Sequence, residues 1–184
     1  APASQTEILT ALARAVSGWA GLASDTAFPI EVEHHGRDAR ALGIGIDMSE
    51  TVGWFTVLAP VLVRGDIEPA AVGTALEAVP GRGLAAMLAS PVATSPQVLL
   101  NHLGRMDVIG GDFAPIGRST GPDRSPLRPP SHAIELVTAQ IGEALHCTWH
   151  IAGLSPASAE RLAVLFDRHL LALAAPKAVL RRQL

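Results

Sequence analysis

The chain opens and closes with segments whose apolar residues recur every three or four positions, which is the spacing of an amphipathic helix. In residues 4–20, Ser4 and Glu7 are spaced as a capping box, in which the two side chains accept free backbone N–H groups at the helix start. In the closing segment, Ser155 and Pro156 suit the N-cap and the first helical position. The sequence therefore predicts a helix at each end. The expected buried stripe of the last helix is Leu162, Leu165, Phe166, His169 and Leu173.

Strand patterns follow the first helix. Residues 28–35 alternate between apolar and polar side chains, which predicts a strand with one apolar face. Residues 51–63 form an almost continuous apolar run, which predicts a strand buried on both faces. Within that run, Gly53 would allow close backbone approach and Trp54 would add core area. Residues 97–103 form a shorter strand candidate.

The second half of the chain contains a predicted hairpin. Residues 134–141 and 144–151 both carry strand patterns, and Gly142 with Glu143 is the turn between them. Two further segments have weaker signals: residues 68–79 are helical, and residues 114–131 are a proline-rich exposed loop.

The order of these elements is helix, strand, strand, helix, strand, hairpin, helix. Such an order predicts an α/β fold in which a mixed β-sheet is flanked by helices. We expect one domain over residues 1–176 and the start of an interdomain linker at residues 177–184.

Composition narrows the class of protein. Hydrophobic residues make up 48% of the 184 residues and charged residues 17%, which is typical of a globular domain and excludes a disordered chain. The net charge of −3, with no basic stripe, argues against nucleic acid as the partner. No apolar run reaches the length of a bilayer span, and the start lacks a signal-peptide pattern, so we expect no membrane partner. The single cysteine, Cys147, fits the reducing cytoplasm.

Three short segments carry a resemblance to a known family. Residues 32–38 read V-E-H-H-G-R-D and resemble the E-G-H-G-R-E motif of peptide synthetase epimerization domains, with His34 and Asp38 as departures. Residues 47–56 read D-M-S-E-T-V-G-W-F-T and are similar to the D-x-S-R-T-V-G-W-F-T motif. Residues 100–107 read L-N-H-L-G-R-M-D and are similar to F-N-Y-L-G-Q-F-D. In this order and spacing, they resemble the C-terminal lobe of a nonribosomal peptide synthetase epimerization or condensation domain.

The resemblance implies a chloramphenicol-acetyltransferase-like lobe, one half of a two-lobed domain. The family's H-H-x-x-x-D-G motif belongs to the first lobe and does not occur here, so we expect the missing N-terminal lobe to be a partner and the chain to be inactive alone. The other implied partner is a peptidyl carrier protein, whose phosphopantetheine arm delivers the substrate. No metal and no tightly bound cofactor is implied. A lone lobe could also dimerise through its exposed face.

The resemblance also assigns candidate site residues. Glu33 matches the family's glutamate, one of two acid/base groups that act on the α-carbon of a carrier-bound aminoacyl thioester. His35 and Arg37 are expected to position Glu33 or to line the substrate tunnel. Asn101 is expected either to bind the substrate or to cap a turn. The competing interpretations are a solvated carboxylate for Glu33 and, for Arg37, a local ion pair with Asp38.

Three functions remain open at this stage. The first is a lobe of an epimerization domain, an isomerase, which the E-H-H-G-R-D context favours. The second is a condensation-type lobe that supports amide-bond formation. The third is a non-catalytic docking platform for a carrier protein or tailoring enzyme. It is favoured by two departures, namely the loss of the family's G-Y-G at residues 80–87 and the replacement of a motif tyrosine by His102.

Overall fold

The computed structural model describes residues 3–37, 43, 45–79, 96–106, 125, 130–174 and 179–183. Several parts of the sequence predictions lie outside the described residues: Asp38, residues 80–87, Asp107 of the third motif, most of the proline-rich stretch 114–131, and residues 177, 178 and 184 of the predicted linker.

The described residues form a six-stranded mixed sheet with helices. In chain order the elements are α1 (Gln5–Ala20), β1 (Phe28–His34), β2 (Val57–Val63), α2 (Pro69–Glu77), β3 (Val98–Arg105), β4 (Ile134–Ile141), β5 (Ala144–Ile151), α3 (Pro156–Leu173) and β6 (Val179–Gln183). The strand order is β2-β1-β3-β4-β5-β6. The pairs β1–β2 and β4–β5 are antiparallel, and the other three are parallel. The predicted α/β fold with a mixed sheet is therefore confirmed.

The helices begin where the sequence placed their caps. Ser4 and Glu7 form both bonds of the capping box: the Glu7 carboxylate accepts from the Ser4 N–H at 2.7 Å, and the Ser4 hydroxyl accepts from the Glu7 N–H at 3.2 Å. Ser155 caps α3 by accepting the N–H of Ser158 at 3.3 Å. These caps satisfy backbone donors that would otherwise have no partner at the helix starts.

The hydrophobic core lies between the helices and one face of the sheet, which we call the helix face. Ile30, Leu100 and Leu136 are fully buried there, one on each of three neighbouring strands, and they belong to one cluster with Leu12 and Phe166 of the helices. Successive side chains of a strand point to opposite faces, so the residues between these strand positions lie on the other face. We call that other face the open face.

The segment 51–63 differs from its prediction. Only Val57–Val63 is a strand, and it alternates between buried and exposed side chains. β2 is an edge strand, which explains why Pro60, lacking an N–H, is tolerated there. The prediction that Trp54 adds core area is wrong, because this side chain is 88% exposed.

The end of the chain also differs from the expected linker. Val179–Gln183 forms β6, which pairs in parallel with β5. Arg182 ties this strand to α3 by ion pairs with Glu160 at 2.8 Å and Asp167 at 3.5 Å. The division of the parent protein into a lobe and a following linker stays a prediction.

The described helices include none that combines the length and the apolar character needed to cross a bilayer.

Candidate functional site at the end of strand β1

Glu33 lies on the open face, one residue before the end of β1. Its neighbour Val32 is completely buried on the helix face, and the alternation of the strand directs Glu33 to the other side. Glu33 is half-buried and lies opposite Leu58 of β2. The predicted placement, on the polar face at a strand end, is confirmed, whereas the acid/base role stays a prediction.

Asn101 lies on the same face of the neighbouring strand. In the parallel pair β1–β3, Glu31 is opposite Leu99 and Val32 is opposite Leu100. One residue further along each strand come Glu33 and Asn101. Both are half-buried, so the fold brings two candidate residues that are far apart in sequence to adjacent strands.

The histidines that follow Glu33 are held by their own backbone. The Nδ1 atom of His34 accepts the N–H of Gly36 at 3.2 Å, and that of His35 accepts the N–H of Arg37 at 3.0 Å. Each neutral ring therefore carries its proton on Nε2. The rings stack with centroids 4.2 Å apart. The apolar face of β1 predicts a core position for His34, but this residue is half-buried, whereas His35 is exposed beyond the strand end with its Nε2–H available for a ligand.

Arg37 ties the first motif to the second. Its guanidinium donates hydrogen bonds to three backbone carbonyls: Met48 at 3.0 Å, Thr51 at 2.6 Å and Gly53 at 3.2 Å. It also lies 4.4 Å from the centre of the Phe55 ring, a cation–π distance. Arg37 thus holds the segment 48–55 beside the end of β1. A direct contact between Arg37 and substrate stays a prediction.

Gly36 makes this close approach possible. Its φ of +64° lies in the left-handed region, which other residues rarely adopt. A Cβ at this position would also overlap the carbonyl oxygen of Phe55. The glycine of the first motif is therefore required by the packing of the second motif against it.

The segment held by Arg37 presents apolar side chains to solvent. Val52 is 99% exposed and Trp54 88%. An Asp47 turn precedes them, in which the carboxylate accepts the Ser49 N–H at 2.9 Å; this bond holds the pKa of Asp47 below its usual value. An exposed tryptophan on an ordered segment is typical of a surface that another protein covers.

Sequence reasoning missed a buried polar cluster near Glu33. His132, which is 6% exposed, contacts Glu31 of β1 through Nε2 at 2.8 Å and the Ser131 hydroxyl through Nδ1 at 3.0 Å. The Ser131 hydroxyl in turn donates to Glu135, which is 1% exposed, at 3.0 Å. The available signal was Glu135, a charged residue inside the strand pattern of residues 134–141.

His102 replaces the tyrosine of the third motif and does not lie beside Glu33. It is on the helix face, where its Nδ1 lies 2.9 Å from the hydroxyl of the buried Thr138. Burial lowers the pKa of His102, so the ring is neutral near pH 7. Among the described residues, no group of three His, Cys, Asp or Glu side chains is placed to hold a metal ion.

An apolar pocket of about 410 Å³ lies at the opposite end of the sheet. It is lined by residues that include Trp19 near the end of α1 and Phe28, Val98 and Ile134 at the starts of β1, β3 and β4. At 3.3 Å per residue, Phe28 is roughly 16 Å along β1 from Glu33. This pocket is therefore separate from the candidate site.

Similar sequences occur within very large synthases. The chain is 34% identical over 161 residues to chondramide synthase of Chondromyces crocatus and 32% identical over 162 residues to one of the linear gramicidin synthase proteins of Brevibacillus parabrevis. Each match covers 77% of this chain but only 4% and 3% of the relative, respectively. No protein-family model matches the chain.

Solved structures have the same fold. The epimerization domain from the third module of tyrocidine synthetase B matches 93% of this chain with a TM-score of 0.68 and 22% identity. The condensation domain for chain release from the enacyloxin polyketide synthase matches 93% with a TM-score of 0.60 and 16% identity. The chain spans only 42% and 36% of those two structures. Together with the sequence relatives, this fold shows that the chain belongs to the condensation-type domains of nonribosomal peptide synthetases and forms one lobe of such a domain.

Proposed function

We propose that the chain is the C-terminal lobe of an epimerization domain, which converts a carrier-bound L-aminoacyl or peptidyl thioester to the D form. The observation that carries this proposal is the position of Glu33. It is a half-buried carboxylate at the end of β1 on the open face, with Asn101 on the next strand and the segment 48–55 held beside it by Arg37.

The chemistry requires a second group from outside this chain. Epimerization removes the α-proton from one side of the α-carbon, which gives the enolate of the thioester, and returns a proton to the α-carbon on the other side. Two acid/base groups must therefore face each other across that carbon, and Glu33 supplies one of them. The missing N-terminal lobe would supply the other, so the chain alone is expected to be inactive.

The substrate would arrive on a carrier protein. The phosphopantetheine arm belongs to the carrier and would enter between the two lobes, which agrees with a site on an open sheet face instead of a closed cavity. In this proposal, the half-buried Asn101 donates a hydrogen bond to the thioester or the aminoacyl group. The exposed His35, beyond the end of β1, offers a second donor through its Nε2–H.

The test is a Glu33→Gln change in the full-length parent protein. With the aminoacyl group loaded on the neighbouring carrier domain, exchange of the α-proton for solvent deuterium should fall by about 100-fold or more, the usual contribution of a general acid/base. Carrier binding should be unchanged. Glu143→Gln is the matched control, because Glu143 lies exposed in the β4–β5 turn. Full exchange in the Glu33 variant would remove the assignment.

A condensation-type function is the second candidate, since the chain also shares its fold with the enacyloxin condensation domain. Amide-bond formation would leave the configuration of the donor residue unchanged. Chiral analysis of the residue released from the carrier separates the two reactions: a D residue supports epimerization, and a longer peptide of unchanged configuration supports condensation.

The third candidate, a non-catalytic docking platform for a carrier or tailoring enzyme, is favoured by the departures at residues 80–87 and at His102. Binding of the carrier domain with neither α-proton exchange nor peptide formation in the full-length parent would support it.

A further inference from the structure

The ladder between β1 and β3 has the fewest register pairs of the five ladders in the described sheet. Only two register pairs join these parallel strands, Glu31 with Leu99 and Val32 with Leu100. By contrast, seven pairs join β1 to β2 and eight join β4 to β5. The β1–β2 unit, which carries Glu33, is thus attached to the rest of the sheet by a short parallel ladder, and parallel pairing is the weaker kind.

The buried polar cluster lies beside the β1–β3 ladder and links the strands on either side of it. Glu31, Leu99 and Glu135 are side by side on three adjacent strands of the open face. The His132 ring reaches Glu31 directly at 2.8 Å and is linked to Glu135 through the Ser131 hydroxyl. The cluster therefore connects β1 to the start of β4 across β3. The connection lies at the two register pairs that join β1 to β3.

Each ring nitrogen of His132 has a polar partner. Ser131 uses its only hydroxyl proton on Glu135, so it accepts from Nδ1–H of His132. The remaining nitrogen, Nε2, lies 2.8 Å from the Glu31 carboxylate. A hydrogen bond is electrostatically stronger in the low dielectric of a buried site than in water, so these contacts favour one fixed arrangement of β1 and β4.

We propose that His132 is a positioning residue for Glu33. It holds Glu31, two residues earlier on the same face of β1, and so fixes the distance across the open face between Glu33 and Asn101. This inference rests on the proposed epimerization function for its effect on catalysis. The contact between His132 and Glu31, which we call the clamp, can be measured independently of any reaction.

The first measurement is amide hydrogen exchange of the full-length parent protein, followed by mass spectrometry. In His132→Gln and in Glu31→Gln, peptides from β1 and β2 should exchange on the order of tenfold faster, the effect of losing one buried side-chain hydrogen bond. Peptides from β4 and β5 should keep their protection. His150→Gln is the matched control, because His150 is opposite Glu135 on the open face but is exposed. It should leave every peptide unchanged.

The second measurement is the kinetics of α-proton exchange in the same proteins. Both variants should lower kcat about tenfold or more and leave the KM for the loaded carrier unchanged, because the substrate still binds but the base is displaced. Combining the two changes should add little to either one, as expected for two residues that act through one contact.

The outcomes separate this inference from the proposed function. If the parent shows no α-proton exchange at all, the epimerization proposal fails, and the amide exchange of β1 still decides whether the clamp exists. Unchanged protection of β1 and β2 in both variants overturns the inference. So does a loss of protection spread equally over all strands, which would mark His132 as a general stability residue. If His132→Gln does not fold, the nearly isosteric Glu31→Gln carries the test.

Discussion

His102 is a histidine on the buried face of the sheet, and its burial affects its protonation. Its motif position suggested a link with the site, but its ring is on the helix face and bonds to Thr138. Burial favours the neutral ring and lowers the pKa of His102 below 6.5. His169 on α3 behaves in the same way: burial is the first cause, and Arg168 and Arg14 add to it. Because both pKa values differ from the usual value of histidine, the free energy of unfolding depends on pH.

The sign of this pH dependence follows from proton binding. The pKa values of His102 and His169 are lower in the folded chain than in the unfolded chain, so the unfolded chain binds more protons as the pH falls. The contribution of these residues to stability is therefore fully present at neutral pH and is lost as the pH drops below about 6.5. Urea unfolding between pH 7.5 and 5.5 should show this loss. His102→Asn, which can keep a bond to Thr138 but does not titrate, should make the dependence shallower. An unchanged slope in His102→Asn would contradict the buried, neutral assignment.

Individual residues were predictable from the sequence where local chemistry decides their role. The Ser4–Glu7 capping box is local, and so is the outward direction of Glu33. Cys147, inside a strand pattern, is buried as that pattern predicts, and burial, with a contribution from Asp167, raises the pKa of its thiol to about 12. The contact of His132 with Glu31 was beyond prediction, because the two residues are 101 positions apart and meet only when the sheet forms.

At the scale of elements, the hairpin β4–β5 was predicted with its bounds, because alternation and the turn at Gly142 agree with each other. β2 and β6 were not. The run 51–63 joins an exposed loop to an edge strand, and hydrophobicity alone does not separate them. β6 has only five residues, two of them arginines, so its sequence pattern is that of a polar tail. It becomes a strand because it pairs with β5 in the folded chain.

The element-scale prediction concerns the loop that Arg37 holds. Arg37→Gln removes a charged group that donates to three carbonyls, so residues 45–56 should become a preferred site of proteolytic cleavage. The free energy of unfolding should fall by only about 1 kcal/mol, because most of these bonds are near the surface. Limited proteolysis and urea unfolding measure the two effects.

The control for this loop is Arg161→Gln. Arg161 also donates to a carbonyl, that of Trp19 at 2.7 Å, but from α3. Its loss should leave cleavage within residues 45–56 unchanged. Equal cleavage of the wild-type and Arg37 variant chains would show that the loop is ordered without the guanidinium.

At the scale of the whole molecule, the helix layer and the open face differ in what they expose. The helices bury the apolar side chains of the sheet on one side. On the other side and on the loop beside it, large apolar side chains remain accessible: Val52, Trp54 and Leu62 are 99%, 88% and 67% exposed. The chain spans 42% of the solved epimerization domain that it matches. We therefore expect the second lobe of the proposed domain to cover this surface.

In the absence of that lobe, we expect the 184-residue chain to self-associate through this surface. Trp54→Ser combined with Leu62→Ser should shift sedimentation toward the monomer, while the free energy of unfolding changes by no more than about 0.5 kcal/mol, as is usual for surface substitutions. Leu171→Gln is the control, because Leu171 is 53% exposed but belongs to the helix layer; it should leave the association unchanged. The association should also persist at high salt, since burial of apolar area drives it and salt screening does not weaken that term. A wild-type chain that sediments as a monomer at every concentration would contradict this prediction, because the exposed apolar side chains would then not drive self-association.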